Sequence, residues 1–146
     1  MAGSAFTTTY DDGQDGKGQH GSVKKILIDW TSDDTTGAVS GTTRKISGQL
    51  LKVITDPGAA APTANYDITI TDGEGVDVLS GLGGTGGSPP SLANRHTSNT
   101  EVVHLVSENA ATDFAAGTQP FVCDVLTVAV TNAGNSKNGQ IIIYYR

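Results

Sequence analysis

With 146 residues, of which 36% are hydrophobic, 16% are charged and 19 are glycine, the chain is long enough for one domain with a real core. It lacks the lysine and glutamate richness of helical surfaces. Its formal charge is −6, and no lysine–arginine run exceeds two neighbours (Lys24-Lys25, Arg44-Lys45). Phosphate binding needs a basic stripe, so nucleic acid is disfavoured as a partner. The single cysteine, Cys123, excludes an internal disulfide and is expected to pack as a small apolar residue. No transmembrane-length apolar run, secretory leader pattern or glycosylation sequon is read, which sets synthesis in the cytoplasm and no membrane partner as expectations.

Residues 1–22 have little periodic hydrophobicity and cannot alone bury enough apolar surface to offset their ordering entropy. Two readings stand: a frayed, flexible N-terminal arm, or an arm that orders on a neighbouring subunit with Phe6 and Tyr10 as anchors. Deleting it is expected to leave the fold intact. Residues 23–146 then form a single domain. The first strand spans 23–30, with Ile26 and Ile28 facing one way and Leu27 the other; Trp30, the only tryptophan, closes one end of a core.

A polar loop over 31–41 leads to a strand starting at 42–46, with Gly48 marking a bulge or bend. Residues 48–79 organise the chain. Leu50 to Ile54 is rich in branched residues and stops at Asp56-Pro57-Gly58, since proline cannot donate to a ladder. Tyr66, Ile68 and Ile70 alternate with Asp67, Thr69 and Thr71, the pattern of a half-buried antiparallel strand. The loop Asp72-Gly73-Glu74-Gly75 then leads to Val76–Leu79, so three successive strands are expected to form a meander.

Downstream lies a glycine-rich loop, 80–90. A short polar turn with Arg95 and His96 follows, then a strand over 101–106 and an alanine-bearing loop or single helical turn over 109–117. Phe121 to Thr131 and Gln140 to Tyr145 read as a closing hairpin, its loop ending in Asn138-Gly139, a dipeptide that readily adopts φ > 0. The continuous apolar run of the last strand implies that both its faces are covered. The expected core is Tyr66, Ile68, Ile70, Leu126, Val128, Val130 and Ile142. About eight strands and no helix make the chain all-β: a β-sandwich, jelly-roll-like in topology.

Motifs that carry chemistry are scarce. Gly81-Leu82-Gly83-Gly84-Thr85-Gly86 matches a dinucleotide fingerprint by composition, but Gly87-Ser88-Pro89-Pro90 stands where the helix under the pyrophosphate must run. The acidic stretch 11–16 fails the calcium-loop spacing from either aspartate at its start. His20, His96 and His104 show no metal-ligand spacing. Asp72, Glu74 and Asp77 cluster at a turn, where a glycoside-cleaving or calcium-binding carboxylate group and an ordinary solvated turn are all open readings. No nucleophile elbow is present. Catalytic residues, cofactor-binding residues, metal ligands and a cofactor are therefore all assigned as none.

Several strings carry a family resemblance: Asp29-Trp30-Thr31-Ser32-Asp33; Lys52-Val53-Ile54-Thr55-Asp56-Pro57-Gly58 with Ala61-Pro62-Thr63; Asn65-Tyr66-Asp67-Ile68-Thr69-Ile70-Thr71-Asp72; and residues 126–135 with 141–146. They resemble small structural proteins of tailed bacteriophages over roughly residues 26–146. The resemblance implies a non-enzymatic capsid decoration (cement) protein on the virion surface. It further implies a jelly-roll fold, a dimer or trimer, and the major capsid protein as partner. No residue-level functional motif transfers. A head–tail connector, tail or head-fibre component, and a carbohydrate- or receptor-binding β-sandwich module, are the alternatives.

Overall fold

The computed structural model describes residues 3–11, 23–78, 92–104 and 120–146. Among them are eight strands and no helix: β1 (Ala5–Asp11), β2 (Lys24–Thr31), β3 (Val39–Pro57), β4 (Tyr66–Thr71), β5 (Leu92–Arg95), β6 (Glu101–His104), β7 (Phe121–Thr131) and β8 (Asn138–Tyr145). The glycine-rich loop 80–90 and the segment 109–117 lie outside the described residues.

All pairings are antiparallel, in the order β1-β2-β8-β3-β7-β4-β5, with β6 added to β3. The nineteen-residue β3 is the spine. From Val39 to Gln49 it pairs with β7; from Leu50 to Pro57 it pairs with β8 on one side, and β6 joins it at Lys52–Thr55. The changeover falls at Gly48, whose φ of +151° suits glycine alone, and a register shift follows between Leu50 and Lys52. A second irregularity sits between Thr42 and Lys45. There Thr43 turns inward at 4% exposure, and its hydroxyl takes the Leu126 N–H at 3.0 Å in place of a ladder carbonyl.

One apolar cluster holds the fold: Ile26, Ile28 and Trp30 from β2, Val53 and its neighbours from β3, Ile68 and Ile70 from β4, Val128 and Val130 from β7, and Ile141 and Ile143 from β8. Alternation produces it, because each strand sends every second side chain inward. Trp30 closes one end as expected, packed on Tyr66 and over Gly139.

Two pairings differ from the sequence expectation. The meander is not formed: β3 and β4 are separated by β7, and residues 76–78 contribute a single bridge, Thr71 to Asp77, beyond a turn closed by Asp72 N–H to Val76 O. The closing hairpin is also absent. β7 and β8 lie on either side of β3, and the loop between them takes its positive φ at Asn132, Gly134 and Ser136 rather than at Asn138-Gly139. Short-range turn chemistry is legible in a sequence; the decision of β3 to separate its successors is not.

Ile142 is outside the core. β8 alternates strictly, burying Ile141, Ile143 and Tyr145 and leaving Ile142 and Tyr144 half-buried on the far face, so only one face is fully covered. Cys123 is exposed, because the inward positions of β7 fall to Val122 and Leu126. The frayed-arm expectation is corrected for Ala5–Asp11, which forms β1 against β2; Phe6 and Tyr10 anchor within their own chain, against the core. Tyr10 Oη accepts the Arg44 N–H at 2.6 Å, and the Arg44 guanidinium stacks 4.1 Å from the Tyr10 ring centroid.

Candidate functional site

The acidic turn at 72–77 carries the catalytic and calcium readings. Asp72 Oδ1 accepts the N–H groups of Glu74 and Val76, at 3.1 and 2.9 Å. The Gly73 N–H goes to Asp124 Oδ2 at 3.0 Å. Asp72 thus caps its own turn, the standard use of aspartate there, and Asp124 ties that turn to β7. Asp33 does the same at the 32–38 turn, accepting N–H bonds from Thr35 and Thr36, each at 2.9 Å. The hydrogen bond from the Thr36 amide, followed by that from Thr35, holds its carboxyl below the ordinary value. Among the described residues no group of three or more His, Cys, Asp or Glu is placed to hold a metal ion.

His96 is likewise built into local structure: its Nδ1 accepts the N–H groups of Ser98 and Asn99, while its own N–H reaches Glu101 Oε2. Arg95 pairs with the same carboxylate at 3.6 Å. His20 is outside the described residues, and His104 falls at the end of β6.

A groove of about 250 Å³ lies beside Trp30, lined by the end of β2, the start of β8 and the end of β3 with Gly58 and Ala59. Its polar lining is engaged internally. Gln140 Nε2 donates to Asp29 Oδ1 at 2.6 Å, Thr100 Oγ1 to Asp56 Oδ1 at 2.7 Å, and the Ala60 N–H to Asn138 Oδ1 at 3.1 Å.

The more ordered feature is the face of β2, β8 and β3 that points away from the core. Two strings share one pattern, Lys25-Ile26-Leu27-Ile28-Asp29 on β2 and Lys52-Val53-Ile54-Thr55-Asp56 on β3. In each, lysine, an aliphatic residue and aspartate occupy alternate positions, so all three share the outward face. Both strands are antiparallel to β8, which lies between them, and register aligns the strings in rows. Lys25, Tyr144 and Lys52 make a basic-aromatic row, with Lys52 Nζ 4.6 Å from the Tyr144 ring centroid. Leu27, Ile142 and Ile54 make an apolar row, which Val102 on β6, 49% exposed, extends. Asp29, Gln140 and Asp56 make an acidic row.

The result is a hydrogen-bonded platform whose polarity runs from positive through apolar to negative along β2, β8 and β3. Both strings were visible in the sequence; their equivalence was missed because it appears only once β8 is known to separate them. The repeated lysine–aliphatic–aspartate spacing at period two was the available signal.

Comparison of the chain with protein families, with curated proteins and with solved structures finds no match in any of the three.

Proposed function

We propose that this chain is a non-enzymatic structural protein of the bacteriophage particle, of capsid-decoration type, working by surface contact with the major capsid protein and with copies of itself. The observation that carries the reading is the outward face of β2, β8 and β3, where charge and apolarity are sorted into rows on a hydrogen-bonded platform. Such a surface suits docking against another surface, whereas catalysis asks for groups converging on one point. The likeness of its strand-and-turn strings to tailed-phage structural proteins supplies the setting. A sandwich-like arrangement, with the two ends of the sheet folded over a shared core, belongs to the same proposal and is supported by the contact between Trp30 and Tyr66. Virion location follows from it.

Co-sedimentation with expanded shells lacking the protein tests the reading. Saturable binding at a multiple of the icosahedral copy number is the expected outcome. Roughly six to twelve copies per particle, the stoichiometry of a symmetric ring, would point instead to a connector or tail part. No binding, together with thermal stabilisation by a sugar, would favour a carbohydrate-binding module acting through the groove beside Trp30.

A further inference from the structure

The apolar row of Leu27, Ile54 and Ile142 is flanked on one side by lysines and on the other by aspartates, and that order is self-complementary. We propose that two copies of this chain pack face to face through the outward side of β2, β8 and β3. The two-fold axis lies in the interface and runs across the strands, along the apolar row. Rotation about that axis keeps each strand over its counterpart but reverses its direction. Asp56 of one copy then lies over Lys52 of the other, Asp29 over Lys25, and the two apolar rows coincide. The alternative two-fold, running along the strands, would set aspartate over aspartate and lysine over lysine. Like charges brought together across an interface oppose association, so the first axis is selected.

Charge balance argues for a second copy rather than an unlike partner. The chain carries −6 overall, so most surfaces of two copies repel. Across β2, β8 and β3 two lysines offset two aspartates, and each of these charged rows has its complement on the same molecule; at the β1 edge Asp11 stands beside Lys25, and the two-fold sets it over Thr7 of the other copy. Half-buried Ile142, with β2 and β3 on either side of it, marks the centre.

Aligned sheets pack about 10 Å apart with a rotation near −30° set by their twist. The five adjacent strands from β1 to β6 span about 20 Å at ~4.8 Å per strand, a patch at the small end of specific interfaces. The dimer is therefore concentration-dependent, and added salt weakens it.

This inference rests on reading the face as a contact surface and is independent of the virion assignment. The test is the mass of the purified full chain, by sedimentation or light scattering over a wide concentration range, with circular dichroism confirming the fold of each variant. The wild type is expected to shift from monomer to dimer. I142E should weaken the dimer by at least about tenfold, as loss of a central apolar contact does. K52E and D56K should each weaken it alone, because each sets like charges across the interface. An equal mixture of K52E and D56K, or the double variant, should recover it. K25E and D29K repeat the logic should the first pair fail to fold. A wild type that stays monomeric, a trimer, or a dimer indifferent to these substitutions overturns the proposal. Shell binding by a strictly monomeric chain would overturn the dimer and leave the decoration reading standing.

Discussion

Trp30 on β2 and Tyr66 on β4 meet with ring centroids 5.9 Å apart and planes tilted by 44°, although β8, β3 and β7 separate them in the sheet. A flat sheet would hold them several strand widths apart. Their contact means that the sheet curls until its inward faces share one core, and β3 makes this possible by changing partners at Gly48. Trp30 is 2% exposed, so W30A should cost about 3–5 kcal/mol, measured as a lowered urea midpoint. G139A probes the same contact from the other side. A Cβ there would stand 2.7 Å from Trp30 Cζ2 and 2.8 Å from the Asp56 carbonyl oxygen. Overpacking of that kind should cost about 1–3 kcal/mol.

Removal of β1 should not be neutral. Truncation through Asp11 exposes the edge of β2 and strips Phe6 and Tyr10 from the core margin. The expected result is a lower melting temperature together with faster amide exchange along β2. Y10F isolates one part of this. It removes the acceptor of the part-buried Arg44 N–H, a loss of about 1 kcal/mol. A truncated chain as stable as the full one would show that β1 adds nothing to the monomer.

How much of this was legible follows from the range of each interaction. Periodicity within a strand is local, so the inward sets Ile26/Ile28, Ile68/Ile70 and Leu126/Val128/Val130 were readable from alternation alone. The stop at Pro57 and the turn after Asp72 were readable from turn chemistry. Partner choice was not. Proximity in sequence favoured β7 beside β8, yet each found a different half or side of β3. Ile142 was misplaced for a related reason: three successive isoleucines hide which parity faces inward, and only the pairing with Leu27 and Ile54 reveals it. Cys123 followed composition rather than parity. The outward rows required both strand order and register, which no single stretch encodes.

Thr43 offers a sharper test of the irregularity in β3. Its hydroxyl donates to the Arg44 carbonyl at 2.8 Å and accepts the Leu126 N–H at 3.0 Å, replacing a ladder bond where the register shifts. T43V conserves shape but orphans a buried donor, at about 1–3 kcal/mol. T43S keeps the hydroxyl and should lose less. If T43V matched wild type in urea denaturation, the bulge would not depend on this bond.

Stability should fall at both ends of the pH range, for opposite reasons. The Asp33 carboxyl is held below its ordinary value of 3.8, chiefly by the amide bonds from Thr36 and Thr35. A depressed folded value means that its contribution is present above the unfolded value and is lost as pH falls through the folded one. D33A should therefore be less stable than wild type at neutral pH, and the gap should close in acid. Tyr66 and Tyr145 behave in reverse. Burial raises both phenols above 10.0, with the Thr55 hydroxyl partly offsetting the effect at Tyr66 and the Arg44 charge at Tyr145. Their folded forms hold the proton more tightly, so their contribution is intact below about 10 and is lost as pH climbs through the raised values. Urea midpoints measured across the range should show an alkaline decline that is shallower in Y66F. An alkaline limb identical in wild type and Y66F would assign the loss to other groups.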